Sequence, residues 1–217
     1  MIGKLQYISQ GETPEEHLEN IEQACISGAV WVQLRLKNLD ANSILETAKK
    51  ARRITQHYKA KLIVNDHYKI AKEVQADGVH LGKKDCCPQE VRGYLGSEFI
   101  IGGTANTLED CENLLAKKVD YIGLGPYQFT KTKKQLSPIL GVDGYKRILA
   151  ALHTKTPIIA IGGIEFSAVP EIVNTGVYGI AFSGALTKDF KSIPIVTKLI
   201  SVSSKEAQAN KTANTQF

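Results

Sequence analysis

Gln33, Arg35 and Lys37 recur at every second position of the segment Val32-Gln33-Leu34-Arg35-Leu36-Lys37. In an extended strand that period places one amide and two cations on the same face. A guanidinium and an ammonium held together suit a phosphate or diphosphate, because the guanidinium forks across two oxygens and the ammonium adds a compact charge. Further along, Asn65-Asp66 ends a second apolar run, and Asp85 follows a third. Carboxylates beside a phosphate repel it unless a metal lies between them, and Mg²⁺ takes oxygen donors from one or two carboxylates together with phosphates. Asp66 also reads as the N-cap of a helix opening at His67. Taken with Asp85 and the cations, the metal reading is preferred.

A second set of residues points to a second anion. Thr130-Lys131-Thr132-Lys133-Lys134 is a loop rich in hydroxyls and cations, and loops of this kind cover or bind ligands. On charge alone the knot reads equally well as a solvated loop. Gly162-Gly163 and Ser183-Gly184 end two more apolar runs, where small residues let backbone N–H groups approach a phosphate beside a helix N-terminus. The histidines offer less. His17, His57 and His153 fall on helical stretches with exposure expected, His80 lies within a strand, and no Ser–His–Asp or Cys–His arrangement is visible. Without an acid/base pair, the chemistry must rest on charge stabilisation and a good leaving group.

These residues need rigid elements to bring them together. Apolar runs at 5–9, 31–37, 62–66, 78–82, 99–104, 121–126, 157–163 and 179–184 read as strands buried on both faces. Amphipathic stretches at 13–27, 42–58, 68–74, 88–95, 107–117, 142–152 and 168–174 alternate with them. The first opens as a capping box, with Thr13 before Pro14 and Glu16. Strands alternating with helices call for parallel pairing, and eight such units in about two hundred residues favour closure into a single (βα)₈ TIM barrel over an open sheet. Chemistry in that fold gathers at the carboxyl ends of the strands, where the polar residues fall. Residues 1–202 are expected to form the barrel, and 203–217, polar and without apolar periodicity, a disordered tail.

Composition excludes several classes. The 217 residues are 43% hydrophobic and 23% charged, an ordinary globular balance. The excess of 27 basic over 22 acidic residues is small and forms no Lys/Arg stripe with interleaved aromatics, so nucleic acid is not the expected partner. No apolar run is long enough to span a bilayer and no targeting segment opens the chain, so a cytoplasmic, membrane-free protein is expected. Four cysteines lack zinc-site spacing and read as mostly structural thiols.

The chain resembles the thiamine-phosphate synthase family from its first strand to its eighth. The resemblance rests on Gln33-Leu-Arg35-Leu-Lys37, Val64-Asn65-Asp66, His80-Leu-Gly-Lys-Lys-Asp85, Gly125-Pro126, Thr130-Lys-Thr132-Lys133 and Ile161-Gly-Gly163-Ile164, six short motifs in order on strand ends. It implies a transferase joining a pyrimidine diphosphate to a thiazole phosphate. Gln33, Arg35, Lys37, Asn65, Thr104 and Lys133 would then hold the first substrate, with Arg35, Lys37 and Lys133 acting in catalysis. Asp66 and Asp85 would ligate Mg²⁺, and Thr130, Thr132, Gly163 and Ser183 would receive the thiazole phosphate. Assembly into a homo-oligomer is compatible with the sequence. Departures from the family pattern are Lys83 for Gln, Gly103-Thr104-Ala105-Asn106 for Val-Ser-Ala-His, and Tyr127-Gln128-Phe129 without the usual Pro. Two other readings are a thiazole tautomerase-like barrel and a barrel that binds a phosphorylated metabolite without turnover. Neither needs the cations and paired aspartates together.

Overall fold

A computed structural model describes residues 2–129 and 138–202. Residues 130–137, among them Thr130, Thr132 and Lys133, and residues 203–217 lie outside the described residues. The chain runs β1 (Leu5–Ile8), α1 (Pro14–Ile26), β2 (Trp31–Leu34), α2 (Ala41–His57), β3 (Lys61–Asn65), α3 (Tyr68–Glu73), β4 (Gly78–Leu81) and α4 (Pro88–Leu95). It continues β5 (Ile100–Ala105), α5 (Leu108–Ala116), β6 (Tyr121–Leu124), α6 (Gly141–Ala151), β7 (Ile158–Ile161), α7 (Val169–Asn174), β8 (Gly179–Phe182) and α8 (Gly184–Lys188). All strands are parallel and the sheet closes where Leu5 of β1 pairs with Ile180 of β8. The fold is the expected (βα)₈ barrel.

Local chemistry starts the helices where the sequence places them. The Thr13 side chain accepts from the Glu16 N–H at 3.2 Å. The Glu16 carboxylate reaches back to the Glu12 N–H at 2.6 Å, one residue before the expected partner. Asp40 caps α2 through the Asn42 and Ser43 N–H groups, and Thr107 with Asp110 forms a complete capping box on α5.

Strand alternation divides the core in two. Val32, Leu34, Leu62, Val64, Val79 and Leu81 face outward and pack with Ile21, Ile44, Ala48 and Val91 of the helices. Ile8, Trp31, Ile63, Tyr121, Ile159 and Ala181 face inward and fill the barrel. Trp31 and Tyr121 meet edge to face with centroids 5.0 Å apart. Truncating so large a buried ring costs about 3–5 kcal/mol. Gly102 makes the arrangement possible, because a Cβ there would lie 2.1 Å from Tyr121 Cζ.

Several boundaries differ from expectation. β2 stops at Leu34, opposite Val64, because the Arg35 N–H donates to the Ser9 hydroxyl instead of the ladder. Arg35 and Lys37 therefore sit on the segment beyond the strand. β7 stops at Ile161, where Gly162 and Gly163 turn the chain at φ values of 96° and 69°. A 3₁₀ turn (Phe166–Ala168) precedes α7, so no helix N-terminus directly follows Gly163. His17 is buried rather than exposed, and His153 lies past the end of α6. No helix among the described residues is long and apolar enough to cross a membrane.

Candidate active site

The ends of β2, β3 and β4 bring opposite charges into contact. Asp66 follows β3 in the left-handed region, at φ 65°, a conformation Asp tolerates better than most residues. Its N–H is held by the His80 carbonyl at 2.9 Å, so the turn is anchored to the neighbouring strand. The carboxylate that this turn presents accepts a hydrogen bond from Lys37. It also shares a hydrogen bond with Asp85, whose own carboxylate closes a turn by accepting from the Gly82 N–H at 2.6 Å. Asp66 does not cap α3. The N-cap there is His67, without a side-chain bond, so the capping alternative is set aside.

Burial and neighbours divide the two carboxyls. Burial works against the charged form of Asp66, but the hydrogen bond from Asp85 and the Lys37 ammonium outweigh it and hold Asp66 below the usual carboxylate range. Asp85 is pushed up, by burial first and then by Asp66. Of the two, Asp66 is thus the more readily ionised and Asp85 the more readily protonated. Arg35 is the second cation. Burial lowers its pKa and the charge of Asp66 opposes that shift, so the guanidinium lies within electrostatic reach of the same carboxylate.

Below this layer lie the amides. Gln33 and Asn65 are buried at 2% and 6% exposure, and Asn65 Nδ2 has no hydrogen-bond partner among the described residues. A buried N–H₂ without an acceptor is costly, and it fits a site completed by a ligand. Gln33 Nε2 donates to Gln6 Oε1 at 3.4 Å, and Gln6 in turn reaches the Tyr121 hydroxyl at 3.5 Å. Thr104 Oγ1 lies 2.9 Å from His80 Nε2.

Two cavities flank the charged cluster. One, of about 340 Å³, is bordered by Ser9, Gln10, His17, Arg35, Lys37 and Ser183. The other, also about 340 Å³, is bordered by Lys83, Asp85, Cys86, Cys87, Thr104 and Asp110. Each is of a size that small ligands occupy. Lys37 and Arg35 open on the first and Asp85 on the second, with Asp66 touching both Lys37 and Asp85 between them. Gly163 is placed differently. A Cβ on it would lie 2.5 Å from the Phe129 carbonyl oxygen, so it packs against Gln128 and Phe129 and does not border the first cavity. Ser183 does border it, with Oγ 3.4 Å from Gln10 Oε1.

Sequence reasoning missed the supporting residues. Ser9 Oγ lies 2.7 Å from His17 Nδ1 while accepting from the Arg35 N–H at 3.0 Å, so a buried Ser–His pair fixes the backbone from which Arg35 projects. Burial depresses the His17 pKa, and the charge of Arg35 adds to that effect. The departures from the family pattern also have local roles. Lys83 pairs with Asp110 at 2.5 Å. Asn106 ties the end of β5 to the Gly125 carbonyl.

The fold and site define a (βα)₈ barrel whose strand ends gather cations and paired carboxylates. The family model described as thiamine monophosphate synthase matches residues 5–186, and the chain belongs to that family. A thiamine-phosphate synthase of Flavobacterium psychrophilum is 46% identical over 92% of this chain and 98% of its own length. That of Pyrococcus horikoshii is 36% identical over 85% and 88%. Among solved structures, the thiamine phosphate pyrophosphorylase from Pyrococcus furiosus superposes with a TM-score of 0.77 at 28% identity, covering 91% of this chain and 96% of that one. A 3-hexulose-6-phosphate synthase, at 11% identity and a TM-score of 0.66, shares the barrel fold.

Proposed function

We infer that the chain is a thiamine-phosphate synthase, a transferase that joins 4-amino-2-methyl-5-(diphosphomethyl)pyrimidine to 4-methyl-5-(2-phosphoethyl)thiazole. The observation that carries the reading is the contact of Lys37, Asp66 and Asp85 beside Arg35 at adjoining strand ends. Two cations and two carboxylates cancel, leaving little net attraction for a diphosphate. A divalent cation on the touching carboxylates tips the site positive. The donor set fits Mg²⁺: two carboxylates are present and no cluster of three acidic, His or Cys ligands exists among the described residues, so water and diphosphate oxygens complete the shell. When bound, Mg²⁺ supplies Lewis-acid stabilisation of the departing diphosphate.

The residues then divide the work. Gln33, Asn65 and Thr104 bind and orient the pyrimidine diphosphate, with the unpaired Asn65 amide as a donor to the ligand. Arg35 and Lys37, joined by Lys133 from the loop, neutralise charge on the diphosphate as its C–O bond breaks and it leaves with the electron pair. The thiazole nitrogen attacks the exposed methylene carbon and forms the C–N bond. Ser183, which borders the first cavity, receives the thiazole phosphate, with Thr130 and Thr132 as further hydroxyl donors. No protein nucleophile takes part, and the protein supplies orientation and electrostatics.

Incubation of the purified protein with both phosphorylated substrates and Mg²⁺ tests the reading. Thiamine phosphate and diphosphate should appear in equal amounts. Isomerised thiazole phosphate with no C–N product, or tight binding without turnover, would reject it.

A further inference from the structure

We propose that Tyr121 and His80 are positioning residues which set the Thr104 hydroxyl as a hydrogen-bond donor toward the substrate diphosphate. The proposal rests on the synthase reading and adds to it two residues that never touch substrate.

The relay begins in the barrel interior. Tyr121 is fully buried, wedged edge-on against Trp31, and its ring occupies the space left by the missing side chain of Gly102. Burial disfavours the phenolate, so the hydroxyl keeps its proton. Gln6 Nε2 donates to the hydroxyl oxygen at 3.5 Å, while Gln6 Oε1 is already engaged by Gln33 Nε2. The hydroxyl proton therefore goes to His80 Nδ1, 3.0 Å away.

That bond selects the histidine tautomer. With Nδ1 accepting, the ring proton sits on Nε2, and Nε2–H donates to Thr104 Oγ1 at 2.9 Å. Thr104 Oγ1 is thereby an acceptor from within, and its own O–H is left to point at an acceptor in the cavity it shares with Asp85. In the opposite tautomer Thr104 would donate inward to His80. The Tyr121 proton would then have no acceptor among the described residues. The direction of one buried amide thus decides whether a hydroxyl at the ligand site offers a proton or withholds it.

The tautomer is read directly from ¹⁵N-histidine NMR of the full-length protein, with the His80 signal identified by its loss in His80→Gln. A bare Nδ1 and protonated Nε2 support the relay, and protonated Nδ1 in the wild type overturns it whether or not the protein turns over substrate. For kinetics, the wild type is first shown to make thiamine phosphate; a silent wild type rejects the synthase reading and leaves the tautomer result standing. In the active enzyme, Tyr121→Phe should lower kcat/KM for the pyrimidine diphosphate about tenfold, as expected for one hydrogen bond to a charged group, with KM for the thiazole phosphate unchanged. His80→Gln, which keeps an N–H at the ε position, should retain more activity than His80→Asn, which does not. Equal losses in Gln and Asn variants, or a Tyr121→Phe enzyme with wild-type kinetics, overturn the proposal.

Discussion

Asp85 hydrogen-bonds to Asp66 across the ends of β3 and β4, and only one of the two carboxyls is comfortable as an anion. Asp85, raised above its unfolded value, stabilises the fold fully below the ordinary aspartate range, and that contribution is lost as pH rises through its folded value. Asp66, lowered, behaves oppositely: its contribution is present above the ordinary range and is lost as pH falls through its folded value. Metal-free protein should therefore lose stability on raising pH just above the ordinary aspartate range. Mg²⁺ at a hundred times its dissociation constant should restore about 2.7 kcal/mol. In Asp85→Asn that pH step and the response to Mg²⁺ should both vanish, with activity down ~100-fold, consistent with losing several kcal/mol of charge stabilisation. Thermal denaturation against pH, with and without Mg²⁺, is the measurement; a wild type indifferent to Mg²⁺ removes the metal role.

Arg35→Lys keeps the charge but loses the planar fork. Where two diphosphate oxygens are gripped together, kcat/KM for the pyrimidine diphosphate should fall about 10–100-fold. Steady-state kinetics in that substrate decide the matter, and an unchanged value takes Arg35 out of the site.

Ser9→Ala strands two buried groups, the Arg35 N–H and His17 Nδ1. Unfolding by urea should show a loss of about 1–3 kcal/mol. His17 adds a pH signature. Its folded pKa is depressed, so its contribution is present above the ordinary histidine value and is lost as pH falls through the lower folded value. His17→Gln should flatten stability across that window. A variant that follows the wild-type curve would show that His17 does not titrate with folding.

Gly102→Ala forces a methyl group onto the Tyr121 ring, 2.1 Å from Cζ, in a closed barrel. Overpacking of this kind costs about 1–3 kcal/mol, measurable by denaturation. Because Tyr121 carries the hydroxyl bound to His80, the same change should weaken binding of the pyrimidine diphosphate.

Much of the architecture was legible because strands covered on both faces must be apolar throughout. Runs such as Leu62-Ile63-Val64 and Ile158-Ile159-Ala160 announce themselves, and Thr13 and Thr107 mark helix starts by their side-chain chemistry. The alternation of Gln33, Arg35 and Lys37 found the cationic corner even though the strand ends at Leu34. Hidden from a linear reading was anything that depends on which strands meet across the barrel. His80 looked inert because its partners, Thr104 and Tyr121, are 24 and 41 residues away. His17 looked exposed because nothing local announces that Ser9 will cover it. A helix-borne histidine next to acidic residues reads as surface until the barrel closes over it.

The inward residues Gln6, Gln33, Asn65, His80 and Thr104 come one from each of five consecutive strands, and their sequence neighbours, such as Leu5 and Tyr7 or Val79 and Leu81, belong to the outer shell. Packing against the helices and building the barrel interior with its ligand site therefore fall on alternate letters of the same short words. Selection can rewrite one letter of the recognition surface at a time while the wall that holds it stands, which gives a closed parallel barrel an evolutionary latitude that a site assembled from interlocked loops lacks.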